Sequence, residues 1–222
     1  MPFDDHPPAP RPGPHSGGHQ PAINLPPVTL WLIIINVVIH GLRLLLPDAT
    51  DNALLEALAF VPLRYSESAT AAGGSELGTW LSPLGYQFLH VGWLHLLVNC
   101  ATLAAFGAPV ERLLGPRRFL VFYLVCGVIA AAGHFLVNME STSAMIGASG
   151  GISGLFGAIV TVIGLQRGWR WIVPIIVLMV VLQVGVGWLG LPGADGDIAW
   201  EAHIAGFIAG LILIRLFGRR RT

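Results

Sequence analysis

The sequence predicts an all-α, polytopic membrane protein: a bundle of six transmembrane helices with a long outer interfacial loop between the first and second. Three observations predict it. Of 222 residues, 54% are hydrophobic and only 11% charged, and mean hydropathy is +0.71, whereas soluble domains run to about a quarter charged. Six apolar windows, residues 28–46, 84–106, 119–137, 146–165, 171–189 and 198–217, have the length a helix needs to cross the hydrocarbon core. The basic residues, all arginine, also segregate if six spans alternate. Arg11, Arg112, Arg117, Arg118, Arg167, Arg170 and Arg219 to Arg221 fall on one side, and Arg43 and Arg64 on the other.

By the positive-inside rule that distribution places both termini in the cytoplasm. The formal net charge of zero therefore conceals an asymmetry across the bilayer, and nothing in it points to nucleic acid.

Taken in order, residues 1–26 are rich in Pro, Gly and His without apolar periodicity, and read as a disordered cytoplasmic tail. The scattered His6, His15 and His19 within it are expected to be incidental, not metal ligands. The first apolar window is long enough to span and lacks a small-residue cleavage site after it, so it reads as an anchor. In the long outer connection, residues 51–60 form an amphipathic stretch expected to lie as a helix in the interface. Cys100 and Cys126 are expected to be buried thiols without a disulfide. Glu111-Arg112-Leu113-Leu114-Gly115 reads as an inner-surface turn holding an ion pair. Trp169, Trp171, Trp188 and Trp200 fit an interfacial aromatic belt. Residues 219–222 form a basic end.

The chemistry concentrates at the fourth and sixth spans. Gly147-Ala148-Ser149-Gly150-Gly151 opens the fourth, and Ala202-His203-Ile204-Ala205-Gly206 opens the sixth. A helix from Ser149 to about residue 165 would be about 25 Å long, short of the hydrocarbon thickness, so its outer end should lie below the surface. The irregular stretch before it must then be buried in protein or line a wet cavity. Ser149 would sit at a helix N-terminus, where unpaired N–H groups favour developing negative charge. His203, about five residues into its span, lies at a comparable depth. Gly206 and Gly210 form a small-residue stripe that, against Gly147 and Gly150, lets the two backbones approach. Ser149 and His203 are thus a candidate nucleophile and base.

Glu201 is two residues from His203 and points to another face of the helix, so a Ser-His dyad is the economical reading. In the second span His95 and Asn99 are one turn apart and share a face, where both can donate hydrogen bonds to an oxyanion. His90 is expected nearer the surface, anchoring a loop. His40 and His134 are expected to be structural, and Ser153 a packing residue. No His-Glu-x-x-His pattern or inward carboxylate cluster suggests a metal.

These residues together resemble the rhomboid intramembrane serine proteases in their compact bacterial six-helix form. The resemblance rests on Gly147-Ala148-Ser149-Gly150, on Ala202-His203 with Gly206 and Gly210, on His95 with Asn99, and on Glu111 to Gly115. It covers residues 28–217, nearly everything outside the tail, so the domain organisation expected is a membrane protease domain over 27–218. The resemblance implies Ser149 as nucleophile and His203 as general base and then acid. It implies His95, Asn99 and the Ser149 N–H as oxyanion hole, transmembrane proteins as substrates, and no metal or cofactor. It further implies residence in a bacterial inner membrane, and the fifth helix with its following loop as a substrate gate. Some members carry an aromatic residue where this chain has Ser153. The alternative reading is a noncatalytic relative that binds membrane helices without cutting them.

Overall fold

The computed structural model describes residues 24–66, 75–189 (side chains to 185) and 199–218. The tail His residues, the basic end 219–222, the side chain of Trp188, and Asp195 and Asp197 lie outside the described residues. Among the described residues eight α-helices follow one another: α1 Pro27–Arg43, α2 Asp48–Leu58, α3 Glu76–Gly85, α4 Trp93–Leu114, α5 Pro116–Val137, α6 Ser149–Arg167, α7 Val173–Leu189 and α8 Trp200–Phe217. Among the described residues there is no strand, only an isolated antiparallel bridge between Phe60 and Met145. The helices α4, α5, α6 and α8 are long and apolar enough to cross a membrane, while α1 and the α7 region are apolar but shorter. The chain is a polytopic, integral membrane protein.

At the centre stands α6, with 56% of its apolar window buried against 33–39% for the other three long helices. Glycine makes that position possible. A Cβ on Gly206 of α8 would lie 2.2 Å from the Gly150 carbonyl oxygen, one on Gly210 1.9 Å from that of Gly154, and one on Gly157 2.2 Å from that of Phe207. Backbone therefore rests on backbone where α6 crosses α8, as small-residue stripes in membrane helices allow. Below this crossing the Thr161 hydroxyl donates to the Leu211 carbonyl at 3.0 Å. Phe119, Phe122, Tyr123 and Cys126 of α5 fill the remaining space against Leu155 and Ala158. Cys100 and Cys126 are both free.

Two expected boundaries move. The second apolar window is not one helix from residue 84. Instead α3 ends at Gly85, a 3₁₀ turn covers Tyr86–Phe88, and α4 starts at Trp93 and continues to Leu114. The break turns Tyr86, Gln87, Leu89 and His90 into the bundle, where all are buried. His90 is thus a core residue, correcting its expected place near the surface. The long outer connection holds two helices where one was expected. The first begins at Asp48, and the second, α3, is capped by Ser75, whose Oγ accepts from the Gly78 N–H at 3.0 Å.

Glu111 is the second correction. It forms no surface ion pair but is 2% exposed, and its carboxylate accepts from the N–H groups of Val28 (3.0 Å) and Thr29 (2.7 Å) and from the Thr29 hydroxyl (2.7 Å). The first N–H groups of any helix lack intrahelical acceptors. Pro26 offers α1 no side-chain cap, so a carboxylate from α4 supplies one and ties the two helices together. Immediately beyond, Gly115 at φ +79° joins α4 to α5 in a single residue, a conformation that favours glycine, and Pro116 opens α5.

At the Ser149 end of the bundle Arg43 closes α1 onto α2. Its guanidinium donates to both Asp51 carboxylate oxygens at 2.7 and 3.0 Å and to the His90 carbonyl at 2.9 Å. That pairing holds the Asp51 carboxyl below its ordinary pKa. A carboxylate depressed in the fold contributes stability above its unfolded pKa and loses it as pH falls through the folded value. Asp51→Asn is therefore expected to cost about 1 kcal/mol at neutral pH, with the difference from wild type starting to shrink as pH falls below about 4 and gone only below the depressed folded pKa. Thermal unfolding across pH measures it, and a difference that persists in acid would assign the loss to something other than the ion pair.

Candidate active site

The segment before Ser149 is irregular, exposed over residues 142–144 and buried at Met145, Gly147 and Ala148, and it is held from two sides. Phe60 and Met145 exchange both backbone hydrogen bonds, Met145 N–H to Phe60 O at 2.8 Å and the reverse at 3.1 Å, and the Leu63 N–H donates to Ser141 O at 3.0 Å. Opposite, the Gly147 N–H donates to the Tyr86 carbonyl at 2.9 Å, and the Tyr86 hydroxyl donates to Gly127 O at 2.7 Å. Irregular backbone at membrane depth requires such internal partners. Gly147 sits at φ +128°, where a side chain is strained, and a Cβ there would meet the His95 ring at 2.8–2.9 Å.

From this seat α6 begins at Ser149. Ala148 is the N-cap and offers no side-chain cap, and the first helical bond runs from the Ile152 N–H to Ala148 O at 3.1 Å. The N–H groups of Ser149, Gly150 and Gly151 precede it and have no intrahelical acceptor. Because Ser149 is the first helical residue and not the cap, its hydroxyl is not spent on its own backbone. Instead Ser149 Oγ lies 2.8 Å from His203 Nε2.

Among the described residues no third group orients the imidazole. His203 Nδ1 is buried and has no partner among the described residues. Glu201 is engaged elsewhere. Its carboxylate accepts from Asn138 Nδ2 at 3.1 Å and lies 3.5 Å from His134 Nδ1. This clasp joins the C-terminus of α5 to the N-terminus of α8. Ser153, a turn deeper, forms no hydrogen bond with His203 among the described residues.

His95 and Ser149 flank the same point. The position of a Cβ on Gly147 lies 2.8 Å from His95 Cε1 and 3.8 Å from Ser149 Oγ. Asn99, 5% exposed, turns its amide back to its own helix and donates to the His95 carbonyl at 3.0 Å. Behind His95 stand His90, ring centroids 5.1 Å apart, and His40, edge-on to Trp93 at 4.8 Å. The four ring nitrogens of His40 and His90 have no partner among the described residues.

Residues 77–220 match the rhomboid domain. The chain belongs to the rhomboid family. It is 31% identical over 160 residues to "Rhomboid protease GluP" of Bacillus subtilis, covering 69% of this chain and 30% of that protein. It is 34% identical over 134 residues to "RHOMBOID-like protein 4" of Arabidopsis thaliana, covering 59% and 32%. It is 29% identical over 143 residues to "Putative rhomboid protease YdcA" of Bacillus subtilis, covering 61% and 66%. In each case the chain spans less than two thirds of the relative's own length. In this rhomboid the domain match begins inside α3 and leaves out α1, yet α1 is joined to the matched region through Glu111.

Sequence reasoning missed the residues that hold the Ser149 seat. Phe60 and Tyr86 act through backbone groups, which leave no mark of residue type, and only the aromatic body and polar tip of Tyr86 hint at a buried anchoring role.

Proposed function

We propose that this rhomboid is an intramembrane serine endopeptidase that hydrolyses transmembrane protein substrates through a Ser149–His203 dyad and an acyl-enzyme. The observation that carries this reading is the 2.8 Å contact between Ser149 Oγ and His203 Nε2 at the start of α6. The domain is 27–218, embedded as six spans in a bacterial inner membrane with both termini cytoplasmic, as the arginine distribution argues. The tail 1–26 and the end 219–222 lie outside it.

With its proton on Nδ1, His203 accepts the Ser149 proton at Nε2 as Oγ attacks the scissile carbonyl. The resulting oxyanion faces the unpaired N–H of Ser149 and the His95 ring, and Asn99 reaches it by releasing the His95 carbonyl. His203 then protonates the leaving amine, and water, deprotonated by the same nitrogen, hydrolyses the ester. No step calls for a metal or cofactor. A substrate helix must unwind locally before its carbonyl is free, because helical carbonyls are bonded internally. Helix-destabilising residues near the cut should therefore speed cleavage.

The testing experiment is covalent labelling of the detergent-purified protein with a fluorescent fluorophosphonate. Label is expected on wild type and Ser153→Ala and absent from Ser149→Ala and His203→Ala. Label retained by Ser149→Ala would remove the assigned nucleophile. Absence of label from folded wild type would favour a noncatalytic membrane-helix binder. Separately, His95→Ala and Asn99→Ala are each expected to lower kcat by about 10²–10³-fold at similar KM, the usual loss on removing one oxyanion donor. An unchanged kcat in either would exclude that residue from the oxyanion site.

A further inference from the structure

At the opposite end of the bundle from Ser149, the last turns of α4, α6 and α8 enclose a groove of about 250 Å³. Its walls are Leu113, Val162, Leu165 and Ile214, and Arg215 stands at its rim. The groove opens sideways, since Leu113 and Leu165 are 48% and 62% exposed. The Thr161 hydroxyl in its wall is already spent on the Leu211 carbonyl. The polar capacity of the groove is therefore Arg215, whose guanidinium lies 5.9 Å over the Trp169 ring and makes no ion pair among the described residues.

Among the described residues, charge at this end is unbalanced. Arg112 donates to the Asn24 carbonyl, Arg118 to the Phe217 carbonyl, and Arg170 lies over Trp171, so neutral groups satisfy them without cancelling their charge. Glu111 is committed to the first turn of α1. A tryptophan beside an arginine at a helix end is the usual furniture of the head-group boundary, where basic clusters attract anionic lipid.

We propose that this groove binds one anionic glycerophospholipid of the adjoining leaflet, with its phosphate on Arg215 and the first part of an acyl chain along Leu113, Val162, Leu165 and Ile214. The apolar walls call for hydrocarbon, and the uncompensated arginines favour a net negative head group over a zwitterionic one. The site is independent of the peptidase reading, since Arg215 lies 12 residues, about 18 Å, along α8 from His203.

Native mass spectrometry of the delipidated full chain in mild detergent tests it, using phosphatidylglycerol and phosphatidylcholine with identical chains. One phosphatidylglycerol is expected to bind at least about 5-fold more tightly than phosphatidylcholine, with Arg215→Gln removing the preference. Leu165→Trp, at an exposed position, is expected to weaken both lipids by filling the groove, while Arg64→Gln, at the other end of the bundle where Arg64 donates to the Glu56 carbonyl, leaves binding as in wild type. Free glycerol phosphate is expected not to displace the lipid. Equal binding of the two lipids, full preference in Arg215→Gln, or displacement by glycerol phosphate would each overturn the proposal, the last by assigning the site to a free phosphate.

Discussion

On the proposed mechanism, Ser149→Ala and His203→Ala are each expected to lower kcat for a transmembrane substrate by about 10⁴-fold or more, about 5 kcal/mol of transition-state stabilisation, while costing only about 1 kcal/mol of stability. The size follows from the shared proton. Without His203 the hydroxyl is a weak nucleophile, and without Ser149 no acyl-enzyme forms. The double variant is therefore expected to be no slower than either single one, because the two groups act as a unit. The structure also explains why stability should be largely spared. Ser149 is not the cap of α6, so alanine there removes no helix-terminating bond, and His203 Nδ1 has no described partner to lose, which leaves the one hydrogen bond between the two side chains as the loss. Turnover in detergent or liposomes, read beside the melting temperature, measures both. Substantial activity in Ser149→Ala would sink the mechanism, and a collapsed melting temperature would make the lost activity a folding effect.

Gly210→Ala is expected to destabilise the protein by about 3 kcal/mol, the upper part of the range for overpacking. The added methyl would sit 1.9 Å from the Gly154 carbonyl oxygen. Because that neighbour is backbone, no side-chain rotation relieves the clash, and α8 must move away from α6. The Ser149 to His203 contact spans the same pair of helices, so activity should fall with stability. Gly206→Ala, with its methyl 2.2 Å from the Gly150 oxygen, should behave alike. Gly41→Ala is the control, since nothing lies within 4 Å of its Cβ position, and alanine in a helix is mildly favourable. Equal melting temperatures for Gly41→Ala and Gly210→Ala would mean that the crossing is looser than the backbone distances imply.

The coupling of fold and site in these two experiments has a plain cause. A soluble enzyme can place catalytic groups on loops over a rigid scaffold. Here the two groups of the proposed dyad lie in the first turns of helices whose spacing is set by glycine. The reach of His203 to Ser149 is therefore a property of how α6 and α8 pack.

The sequence by itself determined the class of the protein, the apolar segments and their order, because hydrocarbon leaves the backbone no alternative to helix and the length of each apolar run can be counted. It also singled out Ser149, His203, His95 and the glycine stripe, since polar groups and small residues stand out against an apolar background. Only the tertiary structure decided the features that depend on distant partners. The chain leaves helix at Tyr86 because Tyr86 finds Gly127 and Gly147. Glu111 becomes a cap because α1 begins with proline and lacks a cap of its own. Glu201, which helix geometry had already turned from His203, finds its own partners in Asn138 and His134. In each case local composition permits two conformations, and the choice falls to whichever satisfies buried polar groups that lie far apart in sequence.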